Sequence, residues 1–458
     1  MSEYQAFLAQ KAVAVQPRGL DTIPALSETL FPFQRTCVEF LLRAGSGGLF
    51  LDTGLGKTLC ELEWCRHAAE ATNGRAMVLT PLAVAWQIKR EADRFGYQAQ
   101  VIRDETEVRD GINICNYDRL DRIDPQAFGA VALDESSILK HFGGKTSTSL
   151  IQAFAGHRFK ICATATPAPN DHMEIGQHCE FLSVMPQTEM LMRWFTHDSG
   201  DTAVWRLKKH GESAFWDWMA SWAIVAEKPS DLGDKDDGFI LPKMNVTRHR
   251  VRGDNPVIGE GLFAEATMSA TTMHHVKRQT AEIRAEKAAE LALSNHQPWV
   301  IWVDTDYEAD AVKACLPNAY SAEVRGSMPA ELKEERLRGF ADGEIKILVT
   351  KPSVAGFGLN WQHCAHVAFV GRSFSYEAWY QAVRRCWRFG QRREVNVHLI
   401  VAEGEDTIGR VIDRKADDHS RMKNQMVAAT RRAVNSAALK RVAYDPQHEG
   451  RLPAWLSV

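Results

Sequence analysis

Three small groups of residues in this chain have the types and spacing to do chemistry on a phosphate ester. The first is Asp52-Thr53-Gly54-Leu55-Gly56-Lys57-Thr58. It follows an apolar run, Gly48-Leu49-Phe50-Leu51, that reads as a buried strand, and it precedes a helical pattern from Leu59 to Ala71. Strand, glycine turn, Lys-Thr and helix is the layout of a phosphate-binding loop. Glycines let backbone amides turn toward phosphate oxygens, and the helix N-terminus adds positive potential. Lys57 is expected to reach the β- and γ-phosphates of a nucleotide, and the Thr58 hydroxyl to bind Mg²⁺. Leu51 stands where the generic pattern has its first glycine, but the Gly-x-Gly-Lys-Thr core is intact.

The second group, Asp134-Glu135, ends the apolar run Val131-Ala132-Leu133. A strand tip presents side chains at the carboxyl edge of a sheet, where open α/β folds bind ligands. Asp134 is expected to hold Mg²⁺ and Glu135 to polarise an attacking water. A solvent-facing acidic turn is the plain alternative, and the phosphate loop upstream argues against it. The third group is Gln381-Ala382-Val383-Arg384-Arg385-Cys386-Trp387-Arg388-Phe389-Gly390-Gln391. On a helix, Gln381, Arg385 and Arg388 share one face. Guanidinium groups there would stabilise charge on a transferring phosphoryl group. Arg384 falls off that face and reads as a surface or nucleic-acid contact. Ala163-Thr164-Ala165-Thr166-Pro167 also follows a strand pattern, and its hydroxyls could report the state of the acids to a second domain or simply form a turn.

Short apolar runs alternating with helical patterns must position these groups, and they do so in two regions. The first carries strand candidates Gly47–Leu51, Ala76–Thr80, Gln100–Arg103, Ile112–Cys115, Ala130–Leu133 and Phe159–Ala163. The second carries Trp299–Val303, Ala319–Glu323, Ile345–Val349, His366–Val370 and Val395–Val401. Helical patterns such as Val84–Phe95, Glu308–Leu316, Glu331–Phe340 and Tyr376–Trp387 lie between them. Alternation of this kind predicts an α/β protein with two doubly wound parallel sheets. Residues 190–222 differ: five tryptophans (194, 205, 216, 218 and 222) sit in a helical pattern with little strand signal. A small helical core explains them better than a base-stacking platform. Residues 227–238 read as a polar linker. After Val401 the chain is helical and basic. Residues 414–441 hold Arg414, Lys415, Arg421, Lys423, Arg431, Arg432, Lys440 and Arg441 against Asp417 and Asp418. That stretch is either a solvated amphipathic face or a phosphate-contacting patch.

Composition bounds the rest. The 458 residues, 45% hydrophobic and 25% charged, suit a soluble protein of two or three domains. A net charge of −3 gives no global attraction to nucleic acid, so any basic surface is local. No apolar run approaches a membrane span, and residues 1–19 lack a signal core. Nine scattered cysteines without a CxxC pair argue against disulfides and a zinc ribbon, and a reducing cytoplasm is expected.

The set, in this order, resembles the superfamily-two helicase-like ATPases, most closely their Swi/Snf-type branch, over roughly residues 28–410. Phe31-Pro32-Phe33-Gln34 is similar to the adenine-reading Q motif, Asp52 to Thr58 to motif I, and Thr80-Pro81 with Trp86 to motif Ia. Ile114 to Tyr117 resembles motif Ib, Asp134 to Ser137 motif II, and Thr164 to Asn170 motif III. Leu241-Pro242-Lys243, before an alternating strand pattern, resembles the passage into the second domain. Ile301-Trp302-Val303 matches motif IV, Ala355 to Asn360 motif V, and Gln381 to Gln391 motif VI. Asp-Glu-Ser-Ser in motif II and Thr-Ala-Thr in motif III depart from the common remodeller forms, and the chain looks like a compact bacterial or phage version.

The resemblance implies two tandem RecA-like domains with ATP between them: residues 1–245 with a Trp-rich insertion at about 171–238, residues 246–402, and a helical basic tail at 403–458. ATP would meet Gln34, Thr53, Gly54, Leu55, Gly56, Lys57 and Thr58. Lys57, Asp134, Glu135, Gln381, Arg385 and Arg388 would carry catalysis, with Thr58 and Asp134 on Mg²⁺. Nucleic acid would meet Thr80, Pro81, Asn116, Tyr117, Gly356 and Asn360, while Thr164, Thr166 and Gly358 would couple the domains. The expected function is an ATP-dependent translocase or helicase on DNA. Duplex is favoured, single strands are possible, and a protein partner in replication, recombination or defence is allowed. An RNA helicase, a motor subunit of a restriction or defence complex, and a binding module without turnover are the alternatives.

Overall fold

The chain folds into two parallel-sheet units, and the computed structural model describes residues 17–81, 84–140, 144–168, 171–197, 205–252, 277–355, 360–371, 375–402 and 406–435. The first unit runs α1 (Pro32–Ala44), β1 (Ser46–Leu51), α2 (Lys57–Glu70), β2 (Arg75–Thr80), α3 (Ala85–Phe95), β3 (Ala99–Val101), β4 (Gly111–Asn116), β5 (Ala130–Asp134), α4 (Lys145–Ala153) and β6 (Phe159–Ala163). It continues through α5 (Ile175–Phe181), α6 (Gln187–Trp194), the hairpin β7 (Phe195–His197) and β8 (Trp205–Leu207), α7 (Glu212–Met219) and β9 (Ala223–Ala226). Seven strands pair in the order β3-β4-β2-β5-β6-β1-β9, every pair parallel.

Parallel sheets are buried on both faces, so their strands are apolar throughout rather than alternating with polar residues. Successive side chains still point to opposite faces. Val131 and Leu133 enter one core with the tryptophans, and Ala130 and Ala132 enter the other with α1 and α2. The all-apolar runs identify the buried strands, and the phosphate-loop and acid-pair tips lie at the carboxyl ends of β1 and β5.

The second unit holds β10 (Met244–Val251), α8 (Ala281–Leu293), β11 (Trp299–Trp302), α9 (Asp306–Ala314), β12 (Ser321–Val324), α10 (Ala330–Ala341), β13 (Ile347–Thr350), α11 (Pro352–Ala355), β14 (His366–Phe369), α12 (Tyr376–Val383) and β15 (Val395–Ala402). Its six strands pair as β10-β15-β14-β11-β13-β12, again all parallel. Trp299 and Ile301 face one core, Val300 and Trp302 the other. The alternating strand expected after Lys243 is β10, an edge strand in register with β15 over eight residues.

The hairpin and the strand after it were not legible as elements, and the tail was legible as a helix but not in where it packs. The Trp-rich segment contains the β7–β8 hairpin as well as helices, and β9 directly after it joins the first sheet beside β1. Trp194, Trp216, Trp218 and Trp222 are buried together and make ring contacts with Phe215 and Phe50, so they are core residues. The basic tail is the 30-residue helix α13 (Asp406–Asn435), and it folds back on the first unit. Met422, Met426, Val427 and Ala429 enter the tryptophan core. Thr430 Oγ1 accepts the Val225 N–H of edge strand β9 at 3.3 Å. A helix laid on an edge strand removes an exposed pairing surface.

Candidate active site

The loop between β1 and α2 is built by two glycines with positive φ, Gly54 at 96° and Gly56 at 75°. An L-residue is strained in that region, and the absent side chains leave the loop amides accessible. A Cβ on Gly56 would collide with Gln34 Nε2, and one on Gly54 would lie 2.8 Å from the Phe389 nitrogen of the second unit. Gln34 fastens the loop: its Nε2 donates to the Leu55 carbonyl at 2.9 Å and its Oε1 accepts the Phe31 N–H at 3.0 Å. Lys57 Nζ donates to the Leu51 carbonyl at 3.0 Å. Burial lowers the Lys57 ammonium, and Glu135, Asp52 and Asp134 oppose that shift. Thr58 follows in the first turn of α2, and Thr53 begins the loop with its N–H on Asp52 Oδ1 at 2.6 Å.

The acids stand where β5 ends. Asp134 Oδ2 accepts the Thr80 hydroxyl at 2.8 Å, and the Asp134 carbonyl accepts the Tyr117 hydroxyl at 2.7 Å. Burial, and then the neighbouring Glu135, push the Asp134 carboxyl up to about 7. Glu135 takes a left-handed φ of 51°, and its Oε2 is buried without a hydrogen-bond partner. Strained backbone with an unsatisfied acid is a mark of a functional position. Behind it, Ser136 Oγ lies 3.2 Å from His178 Nε2.

The structure moves several expected residues. Thr80, Asn116 and Tyr117 were assigned to nucleic acid, but their side chains are buried. Thr80 and Tyr117 bond to Asp134, and Asn116 Oδ1 accepts the Asp118 N–H at 3.3 Å. Partly exposed Pro81 and exposed Asn360 remain on the surface, whereas Gly356 and Gly358 lie outside the described residues. Thr164 and Thr166 are fully buried: Thr164 N donates to the β1 carbonyl of Leu49, and Thr164 Oγ1 accepts the Thr166 N–H at 3.1 Å.

The second unit faces this edge. Helix α12 ends at Val383, so Arg385 and Arg388 lie on the turns that follow it rather than on a continued helix. Arg385 is buried, its Nε donates to the Gln381 carbonyl at 3.2 Å, and it lies within electrostatic reach of Glu135 and Asp134. Burial, and then Arg385 beside it, bring the Arg388 guanidinium down to about 9. Gln381 is buried, with Nε2 3.5 Å from Glu377 Oε1. Glu377 also pairs with Lys140, which follows the acid pair in the first unit.

Five residues escaped the sequence reading as site residues: Arg384, Asp52, Tyr380, Lys423 and Glu61. Arg384, expected on the surface, is buried and pairs with Asp52 across the cleft. Asp52 also accepts the Tyr380 hydroxyl at 2.6 Å and pairs with Lys423 of α13 at 3.2 Å. Burial raises the Asp52 carboxyl, and Arg384, Lys423 and Tyr380 outweigh that effect and hold it below the usual carboxylate range. The fifth is Glu61, one turn beyond Lys57. It is buried with both carboxyl oxygens unpartnered, and burial and then Asp134 push its carboxyl well up. The i to i+4 step from Lys57 was the available signal. Asp52 stands beside the loop, but nothing in its neighbours announces partners 328 and 332 residues away.

A cleft lined by a glycine loop, a lysine, two strand-tip acids and two opposed arginines can bind a polyphosphate and move charge off it. The oxygen donors Thr58 and Asp134 fit a hard cation such as Mg²⁺. Among the described residues no cluster of three His, Cys, Asp or Glu side chains forms a protein-only metal cage. Among the same residues no helix is long and apolar enough to cross a membrane.

Known proteins resemble this chain over parts of their length. The family model "Helicase conserved C-terminal domain" matches residues 284–390. The chain is 22% identical over 459 aligned positions to the DNA annealing helicase and endonuclease ZRANB3 of Bos taurus, covering 87% of this chain and 41% of that protein. It is 21% identical over 479 positions to the putative ATP-dependent helicase/translocase YwqA of Bacillus subtilis, covering 88% of this chain and 49% of that one. A shorter match, 32% over 98 residues, joins 21% of the chain to 5% of human TATA-binding protein-associated factor 172. The chain thus spans less than half the length of each of these relatives.

Proposed function

The chain is a helicase-like protein of superfamily two, Swi/Snf type, and from that premise we propose that it hydrolyses ATP in the cleft to drive movement on DNA, duplex DNA above all. The observation that carries this reading is the meeting of Lys57, Asp134 and Glu135 with Arg385 at one inter-unit edge. Domain limits near residues 245 and 402, a cytoplasmic location and the roles of the individual site residues belong to the same reading.

The loop amides and Lys57 take the phosphates, with Lys57 exchanging the Leu51 carbonyl for a phosphate oxygen. Thr58 and Asp134 would hold Mg²⁺, which when bound neutralises phosphate charge. Glu135, with a buried unpaired oxygen, orients the attacking water and draws off its proton. Thr80 holds Asp134 in place. Arg385 and Arg388 stabilise charge spreading over the transferring phosphoryl group, an effect worth ~10³–10⁵ in rate where such an arginine is supplied. Closure of the second unit on the first is what brings them there, so hydrolysis and release alternate with a hinge motion. Nucleic acid is gripped through its phosphates across both units.

Lys57→Ala is expected to abolish ATP binding and hydrolysis together. Glu135→Gln is expected to bind ATP and not turn it over. A Glu135→Gln protein that hydrolyses ATP at the wild-type rate shows that Glu135 does not activate the water.

A further inference from the structure

The cluster around Asp52 joins three parts of the molecule at one carboxylate. Asp52 is the last residue before the phosphate loop, and its Oδ1 accepts the Thr53 N–H that starts the loop. The same carboxylate takes the Tyr380 hydroxyl and Arg384 guanidinium from the second unit and the Lys423 ammonium from α13. Tyr380 is the hub. Its hydroxyl accepts from Arg384 at 3.0 Å and from Lys423 at 3.2 Å, and the two cations lie 5.2 and 5.4 Å from its ring centroid. The Arg384 guanidinium also lies over the Trp387 ring at 4.6 Å, a second aromatic contact that holds it in place.

Charge and position set this cluster apart from an ordinary surface bridge. Asp52, Arg384 and Lys423 are all buried. Breaking a buried pair from one side strands a charge, so such a contact holds two bodies in one register. Helix α13 is suited to carry that register. Ahead of Lys423 it meets α12, with His419 against the Tyr376 and Tyr380 rings at 5.1 and 5.8 Å. Its second half is fastened to the first unit by Arg431–Asp231 and Arg432–Asp217, each at 2.5 Å. Lys423 stands where the two halves meet. Arg384 directly precedes Arg385, so whatever fixes Arg384 against Asp52 also fixes where Arg385 enters the cleft.

We propose that Asp52, Tyr380, Arg384 and Lys423 form a latch by which α13 sets the closed register of the two units, making Lys423 a positioning residue for hydrolysis. The part concerning hydrolysis rests on the proposed ATPase function; the latch itself does not. The basic helix is thereby assigned to the motor and not to a free phosphate-binding tail.

Two measurements on the full chain test this. Small-angle scattering without nucleotide reads the latch alone. Lys423→Met and the Lys423→Met/Arg384→Met double variant are expected to show a larger radius of gyration than wild type, with circular dichroism showing helix content kept. An unchanged radius in both variants overturns the latch. Steady-state hydrolysis with duplex DNA reads positioning. Lys423→Met is expected to lower kcat about tenfold at unchanged KM for ATP, since small misplacement of a catalytic group costs rate rather than binding. Lys423→Arg is expected to restore it. Glu227→Gln, which neutralises the other carboxylate partner of Lys423 at 3.1 Å, is expected to stay near wild type. A Lys423→Met kcat equal to wild type overturns the positioning role. If wild type hydrolyses no ATP under any condition, the proposed function fails and scattering still decides the latch.

Discussion

Two strands of this molecule run into a helix through a short loop, and the chain treats the two helix starts in opposite ways. After β1, α2 begins behind Gly56 with no side-chain cap, and Lys57 falls back on its own strand. After β11, α9 begins behind Thr305 with Glu308 reaching back over the helix start, where its Oε2 accepts the N–H groups of Asp304 and Thr305 at 2.9 and 3.0 Å. Glu308 Oε1 meets buried Arg284 at 2.9 Å, and Arg284 goes on to the Thr280 hydroxyl and the Lys277 and Val370 carbonyls. Helix N-termini attract anions. The second unit supplies that anion from its own sequence, and in the proposed function the first takes it from the nucleotide phosphates. One start is finished as structure, and the other is the proposed phosphate site.

The largest effect that could break this contrast is on rate. Arg385→Gln is expected to lower DNA-stimulated kcat by ~10³ or more while ATP still binds, because its proposed role lies in the transition state. A variant with kcat near wild type would place the catalytic charge elsewhere. Next comes stability. Glu308→Ala strands the Arg284 guanidinium and is expected to cost about 3–5 kcal/mol in urea denaturation. A loss well under 1 kcal/mol would mean that the second helix start is not closed by its own carboxylate. Thr80→Val removes the hydroxyl on Asp134 and is expected to lower hydrolysis about tenfold, near the value of a hydrogen bond to a charged group. If instead it lowers DNA affinity alone, Thr80 returns to the nucleic-acid surface.

The smallest effect sits on α2, away from the cleft. Burial raises the Glu63 carboxyl, but hydrogen bonds from His67, Ser27, Tyr97 and Arg66 outweigh it and bring it down to about 2. A carboxyl depressed in the folded state adds stability above its unfolded value of ~4.3, and loses it as pH falls toward the folded value. Wild type should therefore lose stability between those limits, and Glu63→Gln should show a flatter profile there. Equal slopes would remove Glu63 from the acid response.

The placement of the loop and the acid pair at strand ends was legible because it depends on local order. Glycine turns, Lys-Thr and acids at the ends of apolar runs need only neighbouring residues to be read, and strands such as Phe159–Ala163 follow the same logic. What the sequence hid depends on distance. Ala223–Ala226 is four apolar residues after a tryptophan-rich helix, too short a run to separate strand from helix. Arg384 looked solvated because its carboxylate is 332 residues away. Charges in α13 gave no sign of whether they met solvent, phosphate or Asp52, since periodicity reports a face and not its partner. Thr80 and Tyr117 were read outward from the strand edge, yet their hydroxyls turn back to Asp134.

The central claim is that this cleft turns ATP hydrolysis into work on DNA. Its most direct test is hydrolysis by the purified chain, alone and with duplex DNA, single-stranded DNA or RNA, at two salt concentrations. The account predicts strong stimulation by duplex DNA that falls as salt rises, because the grip is on phosphates. Hydrolysis that none of the three nucleic acids stimulates would contradict it.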